Sequence, residues 1–165
     1  MLYFIILTTK CIKTSKGFSL SGLSKGDEIM RLWHIDLIPY LPKSQLLAQW
    51  RELNSIFKKQ DKHILINYIY NYPLEYLWRY TANVIDEMVE NRNIKIKIWK
   101  NYDKFFKDIG WCCTNLRFKE HNDEYLTICY YNLKEKYLRG QKDFTADVWK
   151  KLDDFYKKEI QDGNK

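Results

Sequence analysis

Residues 30–57 read MRLWHIDLIPYLPKSQLLAQWRELNSIF. The stretch has the form of a chain start: a short extended lead-in, then a helix carrying Trp50-Arg51-Glu52 at mid-length. Leu46, Trp50, Leu53 and Phe57 recur at helical spacing, which predicts a helix over Lys43–Lys59 with Pro42 or Ser44 near its start. Arg51 and Ser55 fall off that stripe and Glu52 lies on a neighbouring flank, so the charged pair faces solvent or a ligand.

Downstream, Lys58–Lys62 is a polar connection. His63–Tyr72 (HILINYIYNY) is strongly apolar with an ambiguous period: a short helix or a buried extended piece. Pro73 opens the clearest helix, because proline is favourable at a first helical position. Leu74, Leu77, Trp78, Thr81, Val84, Ile85 and Met88 form its inner face, and Asp86, Glu87, Glu90 and Arg92 mark the outer side and the end. Ile94–Trp99 alternates like a strand, but a lone strand lacks a partner, so it reads as an extended connection. Residues 101–118 read as irregular or weakly helical.

Asn122 caps a further helix whose stripe is Leu126, Cys129, Tyr130, Leu133 and Tyr137, with Gly140 as its stop. A last helix, Thr145–Ile160, has Thr145 as cap and turns Val148, Leu152, Phe155 and Tyr156 inward. The expected fold is all-α: a compact single domain of about four helices with long irregular connections.

The chain has 165 residues, enough for one domain or one domain plus a tail. It is 45% hydrophobic, too apolar for a wholly disordered chain, and its 6 Gly and 3 Pro argue against a turn-dense β sandwich. The formal charge is +7, and from Met30 onward 24 Lys and Arg face 19 Asp and Glu. A basic surface suits a polyanion, and it equally suits a lysine-rich protein with no nucleic-acid role.

Leu2–Leu7 is far too short to span a bilayer, and it lacks the flanks of a signal peptide. Thr9–Gly26 is rich in Ser, Thr, Lys and Gly and reads as flexible. Lys25-Gly26-Asp27-Glu28 can be encoded as AAAGGAGATGAA, which contains a ribosome-binding sequence just ahead of Met30. Residues 1–29 are therefore expected to be a mis-called start or a flexible N-terminal extension; the competing reading is a genuine strand, Leu2–Thr8, docked on the domain.

Cys11, Cys112, Cys113 and Cys129 form no C-x-x-C pair and read as reduced core residues of a cytoplasmic protein. His34, His63 and His121 show no metal-ligand spacing, and no metal site is expected.

MRLWHIDLIPYLP followed by QLLAQWREL resembles the start of the pyrimidine-dimer DNA glycosylase/endonuclease V family, closest to bacterial relatives opening with Met-Arg-Leu-Trp. The spacing from Met30 to Arg51-Glu52 fits that family without a gap. The resemblance continues more weakly through residues 63–93 and 121–140.

It implies a glycosylase and abasic-site lyase acting on damaged pyrimidines in duplex DNA. The nucleophile would be the α-amine of the first residue, which forms an imine with the sugar. A chain-terminal amine titrates near 7.7–8.0 against about 10.4 for lysine, so far more of it is nucleophilic at neutral pH. Glu52 matches the family's carboxylate, and Arg51 matches an arginine that contacts phosphate.

The expected catalytic residues are thus Glu52, Met30 and Arg31, with DNA bound by Arg51, Lys58, Lys59 and Lys62. The enzyme would work as a monomer, without cofactor or membrane. The chain departs from the family at three places: Arg31 stands where the family has its threonine, Ser55 replaces an arginine, and Gln45 replaces a histidine. Methionine aminopeptidases generally spare Met before a bulky residue, so the reactive amine would belong to Met30, or to Arg31 after unusual processing. Trp149 and Phe155-Tyr156-Lys157-Lys158 occupy the region of the family's aromatic-basic tail, with helical spacing.

Blander readings compete. Arg51 and Glu52 also fit an exposed helix pair, worth little energetically. Trp33 and Trp50 fit core packing better than base stacking, His34 and His63 fit structural hydrogen bonding, and Lys58, Lys59 and Lys62 fit a solvated loop. The alternative functions are a noncatalytic nucleic-acid-binding helical module and a helical protein-interaction protein.

Overall fold

The computed structural model describes residues 31–60, 62–96, 100–109 and 115–163. Met30, the segment before it, Trp99, Cys112 and Cys113 lie outside the described residues.

The first helix, α1, spans Lys43–Lys59, as its stripe predicts. Leu46, Trp50, Leu53 and Phe57 are all buried. Each fully buried leucine of this kind contributes about 1.5–3 kcal/mol relative to exposure. Pro42 precedes the helix without a side-chain cap. Asp143 takes over that role from a distance: it accepts from both the backbone N–H and the hydroxyl of Ser44, placing a carboxylate at the positive end of the helix. Gln60 ends the helix in the left-handed region, φ 52°, its N–H on the Ile56 carbonyl at 2.7 Å.

Before α1, Ile35–Tyr40 forms a 3-10 turn, and after it the ambiguous apolar run resolves into a second, Asn67–Asn71. Helix α2 spans Leu74–Asp86, one residue after Pro73, which sits at the cap position instead of inside the helix. Two of the expected face assignments change. Leu74 is exposed, because the helix starts beside it, and Tyr80, outside the apolar list, is buried.

Glu87 is the larger correction: it is buried, not on the outer side. Glu87 lies three residues after Val84 and seven after Tyr80, both buried, so the helical period itself turns this position inward, just before the π turn at Glu87–Asn91. Its carboxylate is satisfied there by Asn91 Nδ2 at 2.7 Å and by the Arg92 guanidinium. Arg92 also donates to the Leu41 and Pro39 carbonyls at 2.6 and 2.7 Å, tying the end of α2 to the turn that precedes α1.

Residues 93–96 run without regular structure, and no strand occurs among the described residues. The stretch read as irregular or weakly helical contains a short helix, α3, Lys100–Phe105. Tyr102, Phe105 and Phe106 pack their rings around Phe57 at the end of α1.

Helix α4, Asp123–Leu138, starts at Asn122, whose side chain accepts from the Tyr125 N–H at 2.9 Å. It stops at Gly140, φ +76°, where the N–H of Gln141 reaches the Lys136 carbonyl at 3.2 Å. Helix α5 spans Ala146–Gly163 and packs on α4 and on the Ile35–Tyr40 turn. Its aromatic residues do the packing: Tyr156 stacks on Tyr130 at 3.8 Å, Trp149 on Tyr137 at 5.0 Å, and Phe155 on Tyr40 at 4.5 Å. Among the described residues the architecture is all-α, with four long helices and one short one.

Candidate active site

The lead-in from Arg31 to the first 3-10 turn has no regular secondary structure, so its backbone groups need partners from elsewhere. Side chains supply them. Tyr125 on α4 donates its hydroxyl to the Leu32 carbonyl at 2.6 Å. Gln49 on α1 accepts the Trp33 N–H at 2.8 Å. The Tyr80 hydroxyl on α2 lies 2.8 Å from the Trp33 carbonyl and 3.0 Å from Gln49 Oε1. His121 accepts the Ile35 N–H on Nδ1 at 3.1 Å.

That last bond fixes the His121 tautomer. With Nδ1 accepting, Nε2 carries the proton and donates it to the Tyr68 hydroxyl at 2.8 Å. Burial, and then the neighbouring His34 and Arg117, hold its pKa down to about 3. His34, stacked 5.3 Å away, is lowered by burial too. Both are structural histidines, and His63, whose Nδ1 accepts the Leu65 N–H at 3.3 Å, is engaged in the same manner. The Cys129 thiol is pushed up to about 11 by burial, as suits a reduced core cysteine.

A cavity of about 420 Å³ opens between the lead-in, α1 and the C-terminal half of α4. Arg31 and Glu52, two of the three expected catalytic residues, both line it. The third, Met30, lies outside the described residues. Lys136 and Arg139 form the facing wall, and Arg139 pairs with Glu135 at 2.6 Å. The Arg31 guanidinium lies over the Trp33 ring at 5.4 Å, and its Nη1 is buried without a hydrogen-bond partner among the described residues. The guanidinium of a residue that lines the cavity suits an anionic oxygen of a ligand. Glu52 Oε2 accepts from Gln49 Nε2 at 3.1 Å, so one buried amide touches both the lead-in and the glutamate.

The expected DNA contacts are split. Arg51 is exposed beside the cavity without lining it. Lys58 and Lys59 lie about 9 Å further along the α1 axis, on a separate groove beside α3, and Lys62 is exposed beyond them. Gln45, in the place of the family histidine, lines the cavity and donates to Gln141 Oε1 at 2.9 Å. Trp33 and Trp50 are core residues. A larger groove of about 770 Å³, between the Ile35–Tyr40 turn, α2 and α5, contains none of the expected residues.

Sequence reading missed Gln49, Tyr80, Tyr125, Lys136 and Arg139. Gln49 carries a weak signal, since a polar residue one position before Trp50 borders the apolar stripe of α1. Lys136 and Arg139 carry none, because their meeting with α1 depends on how α4 packs.

The fold and this glutamate-lined cavity accompany a match to a DNA-repair class. Residues 30–101 match the family model described as pyrimidine dimer DNA glycosylase. The resemblance read from Met30 onward is thereby borne out across the lead-in, α1 and α2, and it supports a DNA glycosylase-type repair role and DNA binding in general. No curated protein and no solved structure matches the chain.

Proposed function

We propose that the chain is a DNA-repair glycosylase with abasic-site lyase activity, acting on damaged pyrimidines in duplex DNA. The observation that carries this reading is the cavity shared by Glu52 and Arg31. Met30 directly precedes the cavity-lining Arg31 in the sequence, so a chain beginning at Met30 would carry its amine on the neighbouring residue.

The amine attacks the sugar carbon bearing the damaged base, and the base leaves with a proton. The nitrogen lone pair then opens the sugar ring to a protonated imine. Glu52 stabilises the cationic sugar and afterwards takes a proton from the adjacent sugar carbon, and elimination breaks the bond to the 3′ phosphate oxygen. Arg51, Lys58, Lys59 and Lys62 hold backbone phosphates. Reaching a sugar carbon inside a duplex requires unstacking a nucleotide at about a few kcal/mol, which is smallest at damaged pairs. The reaction needs no cofactor, and the protein acts as a cytoplasmic monomer. Among the described residues, no helix is long and apolar enough to cross a membrane.

The test is borohydride trapping on abasic duplex DNA, with chains beginning at Met1 and at Met30 run side by side. A covalent adduct is expected only for protein beginning at or just after Met30. Salt-sensitive DNA binding without any adduct would identify a noncatalytic nucleic-acid-binding module. Binding indifferent to salt would point to a protein-interaction role.

A further inference from the structure

Gln49 is fully buried on α1, and its amide makes contacts in two directions. The Trp33 N–H can only donate, so the atom facing it at 2.8 Å is the amide oxygen. That assignment turns the NH₂ group toward Glu52 Oε2, 3.1 Å away. The Tyr80 hydroxyl borders the same amide oxygen from α2. The other charged groups on the cavity come from the lead-in, Arg31, and from α4, Glu135, Lys136 and Arg139.

We propose that Gln49 is the positioning residue of this site: one amide fixes the lead-in backbone at Trp33 and orients the Glu52 carboxylate, so that the lead-in and the cavity-lining proton acceptor share one frame. This inference rests on the glycosylase reading for its catalytic meaning. The donated bond favours the ionised form of Glu52, the form required to accept a proton. An error of about 1 Å in such a group costs roughly a hundredfold in rate.

Two variants separate positioning from mere support. Gln49→Glu keeps an acceptor for the Trp33 N–H but sets a second carboxyl against Glu52, so that the two titrate as a pair. Gln49→Met removes both contacts. The first measurement is the carboxyl titration of Glu52 by carbon NMR in the full chain, which requires no activity. In folded Gln49→Glu the upper step of the pair is expected about one pH unit or more above the wild-type Glu52 titration. A Glu52 titration unchanged in that variant would overturn the proposal.

The second measurement is single-turnover cleavage of abasic duplex DNA between about pH 5 and 9. Expected are an acid limb moved upward in Gln49→Glu and a loss of about a hundredfold at saturating DNA in Gln49→Met, with DNA binding retained. Loss of binding and rate together, with the limb unmoved, would reduce Gln49 to a support for the fold and overturn the proposal. Wild-type protein that binds but never cleaves would refute the glycosylase reading, and the NMR titration would still decide whether Gln49 orients Glu52.

Discussion

Acidification below pH 6.5 is expected to destabilise the fold through His121. Unfolded, this histidine titrates near 6.5; folded, it titrates at about 3. Below 6.5 the unfolded chain therefore gains a proton that the native site refuses, and stability falls as pH falls, until the folded group also titrates. Between pH 7 and 4.5 the loss from His121 alone is about 2.5 kcal/mol. The causes are burial first and then the neighbouring His34 and Arg117; Nδ1, moreover, already accepts the Ile35 N–H, so a second proton would set two donors against each other. Few carboxylates titrate above pH 4.5, so histidine dominates this window. The assay is urea unfolding at both pH values for wild type and His121→Gln, whose amide can accept from Ile35 and donate to Tyr68 without titrating. The variant is expected to lose about 2.5 kcal/mol less across the window, keeping only the slope contributed by His34 and other groups. Equal slopes in the two proteins, or an NMR titration of His121 near 6.5, would refute the reasoning.

Three further outcomes are expected. Glu52→Gln, which preserves shape beside Gln49, should abolish strand cleavage while leaving DNA affinity nearly unchanged; nicking of abasic duplex at the wild-type rate would remove Glu52 from the mechanism. Arg51→Ala should weaken duplex binding for all sequences alike and lower the slope of log affinity against log salt by about one, as read by fluorescence anisotropy across a salt series. Gly140→Ala meets nothing within 4 Å of its new Cβ, so its cost is the left-handed backbone alone, about 1–2 kcal/mol in urea unfolding.

The helices were legible wherever one face carries the apolar load. α1 and α4 follow their stripes and caps almost residue for residue, because a 3.6-residue period and a capping asparagine are local facts. Glu87 was misread because its charge points to the outer side, although its spacing from Tyr80 and Val84 puts it on the buried face, where Asn91 and Arg92 satisfy it. Glu52 and Arg31 were found through resemblance to a family, since on α1 alone Glu52 is an ordinary flank residue. Lys136 and Arg139 stayed hidden because they enter the cavity only through the packing of α4 against the lead-in.

The same packing bears on how much of the chain the site requires. The family match ends at residue 101, yet two of the four side chains that hold the lead-in, Tyr125 and His121, lie beyond it. So does the cavity wall carrying Lys136 and Arg139. An extended segment has no hydrogen bonds of its own to fall back on, and each buried backbone group left without a partner costs about 1–3 kcal/mol. Without α4 and the turn before it that carries His121, the Leu32 carbonyl and the Ile35 N–H would both lose theirs, and the segment from Arg31 to Ile35 would lose its fixed path. The matched stretch supplies Arg31 and Glu52 to the cavity, while side chains beyond it hold the lead-in and form the facing wall. In this chain the functional unit is therefore larger than the region whose ancestry is legible.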